Sequence, residues 1–554
     1  MKRYWIYLDW IFAGFAALLG GWLVLEATSI YGAGVSSDSV YYLSTAENFA
    51  AGKGFFDLSG SPFVLWPPLY PFILGIFYRL SGITPFVWGR FLNALVMTLL
   101  IFSAAILFKR CFPDRRLWFY LGTAATLTFT GFYTLAANIG TDLLFTLLMV
   151  WFFLAAQAYL SVILIRQDGT NPDDGTRNAW LWLAILSLIS AASAMLRWVG
   201  LAMIVTQALI IWIALWKDWK KASLYSLISC GLAALPFVLW VGGRNYLQYG
   251  TLFGSQEMKY VSISGNLLYS LQRIAGWFPT FNRAISTIAI LLLCAGLVVL
   301  FMINRRADWF RWLKRLFTNP ILPVILLTVV YFGAMLVTAY TKDHIDPIDD
   351  RYQVLLFFAL LIVVFTSFEE LVFPHLKGRE LSYAMAGVTV LFLAWLIYPT
   401  QNLVRFVTDS REQGVTAYNM YNTQKIDRSG LTVLLKKNPL RTDLPIYSNE
   451  PEEVYFLIRR ASKQSPFDPV NYTADIKNLG VYYAGWPPVP EAYLIWFKPN
   501  IKSNTYSPDD LEMLVEKEKL FKRYDGELYI IRPLGSDSLV PSPTASATGG
   551  TTLN

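Results

Sequence analysis

The chain has 554 residues, 55% of them hydrophobic, 16% aromatic and 15% charged, with a formal net charge of +8 and a mean hydropathy of +0.43. That balance excludes an ordinary soluble globular protein, and 20 Trp, 31 Tyr and 38 Phe exclude disorder over most of the length. Three cysteines exclude a disulfide scaffold. Residues 400–554 hold 18 basic against 18 acidic residues, so the whole excess lies in residues 1–399, where loops facing an anionic leaflet explain it and no nucleic-acid partner is implied.

A membrane-crossing helix needs roughly 20 apolar residues, and that window predicts about 11 transmembrane helices. They fall at 10–30, 88–108, 117–135, 140–162, 179–197, 199–216, 222–242, 284–304, 321–340, 353–370 and 381–399. The first follows Lys2 and Arg3, yet it is too long and too poor in a small-residue cleavage site for a signal peptide, so an uncleaved anchor is expected. With the N-terminus inside, alternate loops carry Lys109, Arg110, Arg115 and Arg116, then Lys217, Lys220 and Lys221, then Arg305, Arg306, Arg311, Lys314 and Arg315, and last Lys377 and Arg379. Every major basic loop is then inside. The segments 31–87, 243–283 and 341–352 and everything after 399 fall outside.

In the first outer segment, Ser37–Ala51 reads as a short helix, and Trp66-Pro67-Pro68-Leu69-Tyr70-Pro71 as an apolar stretch lying at the interface. Residues 1–399, with the outer loop 31–87, form the expected transmembrane domain. Residues 400–533 form a small extracytoplasmic α/β domain, with strand-like runs at 444–448, 454–458, 492–497 and 528–533 and helical ones at 429–437 and 508–519. The Ser, Thr, Pro and Gly of 534–554 read as a disordered tail.

The predicted spans contain almost no ionisable residue, which counts against a transporter or flippase, since these place charges along a path between the leaflets. The charges gather instead at one depth, at outer span ends and in outer loops: Asp38, Arg90, Asp142, Arg197, Arg244, Lys342, His344 and Arg351. Carboxylates and arginines at the lipid–water boundary suit a lipid-linked phosphate, because Arg grips phosphate oxygens with a bidentate fork while a prenyl tail stays among apolar helices. A carboxylate then serves as base or as metal ligand for an attacking hydroxyl. Each residue also has a plain structural reading: snorkelling for Arg90 and Arg197, helix capping for Asp38 and Asp142, and pairing with outer acids for Arg244 and Arg351. The loop Asp343-His344-Ile345-Asp346-Pro347-Ile348-Asp349-Asp350 is either a solvated acidic loop or a site for a divalent cation held by Asp343, His344 and Asp346. The sequence has no P-loop, nucleophile elbow or HExxH, and Cys111, Cys230, Cys294 and His375 fall in spans or inner loops.

Read in order, Ser37-Asp38-Ser39-Val40-Tyr41-Tyr42, Ala46-Glu47-Asn48, Gly52-Lys53-Gly54-Phe55, Pro67-Pro68-Leu69-Tyr70-Pro71, Gly89-Arg90-Phe91-Leu92-Asn93, Gly140-Thr141-Asp142-Leu143-Leu144-Phe145, Leu196-Arg197-Trp198-Val199-Gly200-Leu201, Arg244-Asn245, Tyr249-Gly250 and Asp350-Arg351-Tyr352 resemble the GT-C glycosyltransferases of the dolichyl-phosphate-mannose protein mannosyltransferase type, which include the bacterial aminoarabinose transferases. The resemblance covers roughly 30–365. It implies a GT-C-like fold, a polyprenyl-phosphate-sugar donor, inverting transfer at the outer face of the cell membrane and an essential acid at Asp38; the acceptor, a lipid, glycan or protein, is left open. Asp142 is the second catalytic candidate, and Arg90, Arg197, Arg244, Lys342 and Arg351 are candidates for the donor phosphate. One departure stands out: the protein mannosyltransferases carry an adjacent Asp-Glu pair where this chain has Asp38-Ser39, so neither mannose nor a protein acceptor is implied. A lipid-linked oligosaccharide ligase or polymerase is the rival enzyme reading.

Overall fold

A computed structural model describes residues 2–167, 172–250, 263–278, 304–341, 350–416, 420–471, 473–499 and 504–534. The expected span 284–304 lies almost wholly outside these residues, as do most of the acidic loop 343–350 and the tail. The chain divides into two units. The first comprises Met1–Gly34, Thr45–Phe55 and Pro62–Ala417; the second comprises Val35–Ser44, Phe56–Ser61 and the chain from Tyr418 onward.

The first unit is helical and multi-pass. Among the described residues, seven helices are long and apolar enough to cross a membrane: Tyr7–Ala27, Pro85–Cys111, Asp142–Leu164, Asn178–Leu196, Trp219–Gln248, Arg351–His375 and Arg379–Gln413. Shorter apolar helices occupy Leu69–Ser81, Trp198–Ala214 and Leu322–Thr338. The predicted span 117–135 is in fact two helices, Arg116–Thr128 and Thr130–Ala136, parted at Phe129. Phe129 takes an extended backbone, φ −72° and ψ 103°. Its ring then stacks on Phe357 at 4.3 Å and meets Phe132 and Trp277 edge-on, so aromatic packing accounts for the broken helix. The first helix, Lys2–Ala27, lies against Pro85–Cys111 at very close range. A Cβ on Gly20 would come within 2.1 Å of Ile101 Cδ1, and one on Gly21 within 2.1 Å of Thr98 Oγ1, which is the small-residue contact expected of membrane helices.

One end of this unit is braced by buried charge. Asp9, buried in the first helix, accepts from Tyr120 Oη at 2.7 Å and pairs with Lys109 at 3.2 Å. Glu369 accepts from Trp118 Nε1 at 2.6 Å and pairs with Arg115. Arg315 donates to the Cys111 carbonyl at 3.1 Å, and Asn319 donates to Ser161 Oγ at 2.9 Å. Asp142 begins the helix Asp142–Gln167, and its far part receives Asn319, so Asp142 belongs to the opposite end.

The second unit contains a mixed five-stranded sheet of β1 (Ile446–Ser448), β2 (Lys463–Gln464), β3 (Ala492–Phe497), β4 (Val515–Arg523) and β5 (Gly526–Pro533), in the order β2-β1-β3-β5-β4. β1 runs parallel to β2 and β3, whereas β5 is antiparallel to β3 and β4. Every residue of β3 is buried, as an apolar central strand requires. Two sequence expectations change. Residues 454–458 are helical, within Pro451–Ile458, because Pro451 at the first turn and the acids Glu452 and Glu453 behind it are helix-start signals that outweigh the β-prone Val-Tyr-Phe run. Residues 515–519, expected as helix, begin β4. The alternating Glu and Lys that resemble a helix face here line an edge strand paired with β5, where charge discourages further pairing.

Candidate functional site

The helix Pro172–Leu196 stops at Arg197, whose backbone is extended at φ −148° and ψ 144°, and one short 3-10 turn, Trp198–Gly200, leads into Leu201–Ala214. Glycine is required in that turn: a Cβ on Gly200 would lie 2.1 Å from the Ser193 carbonyl oxygen. The break frees the Arg197 side chain from a helical path and delivers it to the start of the helix Asp142–Gln167. There Arg197 Nη1 forms an ion pair with Asp142 and donates to Thr141 Oγ1 at 3.0 Å. Asp142 sits in the first turn, where the helix dipole favours its negative charge.

Tyr352 follows Arg351, and the Arg351 guanidinium lies 5.1 Å from its ring centroid while that of Arg197 lies 5.6 Å away. Arg351 and Tyr331 are also close enough to Arg197 to act on it electrostatically. Asp142, Arg197 and Arg351 therefore form one group, half-buried at a helix end, with two cations to one carboxylate among the described residues. Asp142 and Thr141 occupy one guanidinium nitrogen of Arg197. Its other donors remain to be shared with an anion, and a guanidinium holds phosphate oxygens in pairs. Thr141 and Tyr352 stand in the sequence motifs without a role, and Tyr331 is not singled out from sequence. For Tyr352 a signal existed, an aromatic next to an arginine at an outer span end, whereas Tyr331 lies inside an apolar run that carries none.

The turn before Asp142 is tied down independently. Asn93 donates to the Ala136 and Asn138 carbonyls at 2.8 and 2.7 Å. Gly34 forms a parallel bridge to the same stretch, its amide 2.7 Å from the Ala137 carbonyl and its carbonyl 2.9 Å from the Ile139 amide.

Other predicted residues are placed differently. Arg90 Nη2 donates to the Leu25 carbonyl at 2.7 Å and its Nε to Thr28 Oγ1 at 3.0 Å, which gives it the work of closing the end of the first helix. Arg244 donates to the Phe55 and Phe63 carbonyls, each at 2.9 Å, and its guanidinium lies 4.6 Å from the Trp240 ring centroid. It clamps the first outer segment from a π-helical stretch, Val238–Asn245, a distortion often found at functional sites. Lys342, Asp343, His344 and Asp346 lie outside the described residues, and among the described residues no group of three His, Cys, Asp or Glu side chains is arranged to hold a metal ion.

Asp38 belongs to the second unit, in the first turn of the helix Ser37–Ala50. The cap of that helix is made by its neighbours. Ser36 Oγ accepts from the Ser39 amide at 3.4 Å, and Ser39 Oγ accepts from the Ser36 amide at 3.0 Å, a reciprocal pair of the capping-box kind. Tyr41, one turn on, donates to Glu452 Oε1 at 3.3 Å. Burial and then the charge of Glu452 push the Tyr41 phenol well above its ordinary range, with smaller contributions from Asp57 and Asp38.

No protein-family model and no curated protein matches the sequence. Solved structures do. ArnT from Cupriavidus metallidurans in the apo state superposes with a TM-score of 0.54 at 14% identity, over 96% of this chain and 98% of that one. The same protein bound to undecaprenyl phosphate gives 0.53 at 14% identity, over 98% of this chain and 100% of that one. The archaeal oligosaccharyltransferase AglB from Archaeoglobus fulgidus, in complex with an inhibitory peptide and a dolichol-phosphate, gives 0.52 at 12% identity, over 95% of this chain and 74% of that one. The multi-pass helical unit and the small sheet unit match these structures over nearly the whole of this chain, so the fold is GT-C-like.

Proposed function

We propose that the chain is a membrane glycosyltransferase that moves a sugar from a polyprenyl-phosphate donor to an acceptor at the outer face of the cell membrane. The observation that carries this reading is the Asp142–Arg197–Tyr352–Arg351 group, two arginines gathered at a helix end in a fold whose solved examples hold undecaprenyl phosphate and dolichol phosphate. What supports this orientation is the opposite end of the unit, where Lys109, Arg115 and Arg315 make their contacts and the basic loops accord with an inner side.

In this mechanism the lipid phosphate is the leaving group. The acceptor atom attacks the anomeric carbon from the face opposite the phosphate, so the anomeric configuration inverts. The C–O bond to phosphate breaks, and its electron pair leaves with the phosphate oxygen. Arg197 and Arg351 stabilise the charge on that oxygen, with donors held in place before the reaction begins. Asp142 and Thr141 fix the Arg197 head group, and Asp142 is a positioning residue in this account. Asp38, in the first turn of the helix Ser37–Ala50, is assigned from the motif that carries it as the base that takes the acceptor proton. Arg244 orders the first outer segment through the Phe55 and Phe63 carbonyls. The bound partners are the lipid donor, an acceptor that is a lipid, glycan or protein, and the membrane itself.

The test is direct. Purified full-length protein in liposomes is incubated with polyprenyl-phosphate sugars labelled in the sugar, and release of the labelled sugar from the lipid is followed with and without EDTA. Release that requires protein and an acceptor supports the reading, and its sensitivity to EDTA decides whether a divalent cation takes part. Labelled lipid crossing the bilayer with its sugar still attached would replace the transferase by a flippase.

A further inference from the structure

The helix Arg306–Leu316 lies at the end of the first unit remote from Asp142, and one of its faces packs on protein. Asp308 and Leu316 are buried. Trp312 Nε1 donates to Ser367 Oγ at 3.1 Å, and Arg315 reaches the Cys111 carbonyl. Asp308, the helix's one acid, is consumed there: it accepts from the Arg305 amide at 2.8 Å, pairs with Arg311 and has His375 at 3.9 Å. The opposite face presents Phe310, Leu313 and Phe317, which are 68%, 46% and 53% exposed. At about 100° per residue these three fall within about 60° of one another. Arg306 and Lys314, both exposed, lie on and beside the same stripe, whereas Arg311 stands toward Asp308, with which it pairs.

A stripe of large apolar side chains interleaved with cations fits neither bulk water nor the hydrocarbon core, which would have to desolvate the charges. It fits the zone between them, where rings enter the acyl boundary and cations meet phosphate oxygens. We propose that the helix Arg306–Leu316 is an in-plane docking surface for anionic phospholipids of the leaflet opposite the Asp142–Arg197 group. Charge complementarity selects this occupant: the exposed face carries the two cations Arg306 and Lys314 and no acid. The proposal does not rest on the transferase reading.

The test places a bimane label at position 310 by F310C in the full chain. Cys230 and Cys294 are replaced by Ala, and Cys111, which is fully buried, is kept. The protein is reconstituted in mixed bilayers in which the acyl chains of either phosphatidylglycerol or phosphatidylcholine carry bromine. The expected result is quenching by both lipids, stronger for brominated phosphatidylglycerol at equal mole fraction. In an R306Q/K314Q background, which removes two exposed cations without touching the Asp308 contacts, that preference falls by up to about thirtyfold. Absence of quenching by either lipid would mean that water or a protein partner covers the face, and equal quenching by both in the parent would mean lipid contact without headgroup selection. Either result, or a preference undiminished in R306Q/K314Q, overturns the proposal.

Discussion

A buried or half-buried charge reveals its work by what its hydrogen bonds are spent on, and the candidate residues separate on that basis. Ser36 and Ser39 cap the helix that carries Asp38, and Asp38→Asn keeps one side-chain oxygen, so sugar transfer should be lost while the protein still inserts and folds; retained transfer would remove Asp38 as base. Arg197 and Arg244 should fail in different ways. Arg197→Ala removes a charge-assisted donor, worth about 1.5–3 kcal/mol, and should weaken donor dependence by roughly ten- to a hundredfold in a titration with polyprenyl-phosphate sugar. Arg197→Lys should restore it incompletely, since a point charge lacks the fork. Arg244→Ala should instead loosen the chain at Phe55 and Phe63, seen as faster hydrogen exchange or proteolysis there, because both carbonyls lose the guanidinium donor and the Phe55 carbonyl keeps only the Phe63 amide. Sequence indicated these arginines by residue type and depth, but it could not distribute them. Arg90 looks like its companions in the chain and is occupied by the end of the first helix. Tyr352 acquires meaning only when the break after Leu196 brings Arg197 to its ring.

Helix breaks and helix starts decide what the elements do. Gly200→Ala introduces an atom where the Ser193 backbone stands 2.1 Å away. It should cost about 1–3 kcal/mol as overpacking and misplace Arg197, lowering the melting temperature and activity together. In the second unit the start of the helix Pro451–Ile458 carries buried Glu450, Glu452 and Glu453. Burial, and then the neighbouring charge of Glu450, push the Glu453 carboxyl up to about 8. An acid whose folded pKa is raised is protonated in the folded chain over a range where the unfolded chain has released its proton. Its contribution is therefore lost as pH rises from the ordinary carboxylate range to about 8, and changes little above that, by up to a few kcal/mol in all. Thermal melting from pH 5 to pH 9 should show this decline, and Glu453→Gln should flatten it. Long apolar runs made the spans legible, because one pattern suffices to define each of them. The break at Phe129 depends on Phe357, more than 200 residues away, and the strand β4 depends on its partner β5; local pattern holds no record of either.

Over the whole molecule, the helix Asp142–Gln167 connects two levels of the membrane as one rigid piece. From Asp142 to Gln157, where the Pro320 carbonyl accepts from the glutamine side chain at 2.8 Å, the rise is about 22 Å at 1.5 Å per residue. Asn319 fastens to this same stretch at Gln157 and Ser161, three residues beyond the helix Arg306–Leu316. If that helix floats at the head groups of one leaflet, the height of the Asp142–Arg197 pair above it is fixed by the protein and not by the lipid. A thicker bilayer then draws the pair down into hydrocarbon, and a thinner one lifts it into water, so the chain carries a built-in ruler for the membrane in which the proposed donor would be presented. In liposomes of monounsaturated phosphatidylcholines from 14 to 22 carbons, transfer should pass through a maximum at one thickness; a rate indifferent to chain length would mean that the site adjusts its depth freely. Hydrophobic mismatch would on this account select the compartment in which the protein works, before any contact with its acceptor.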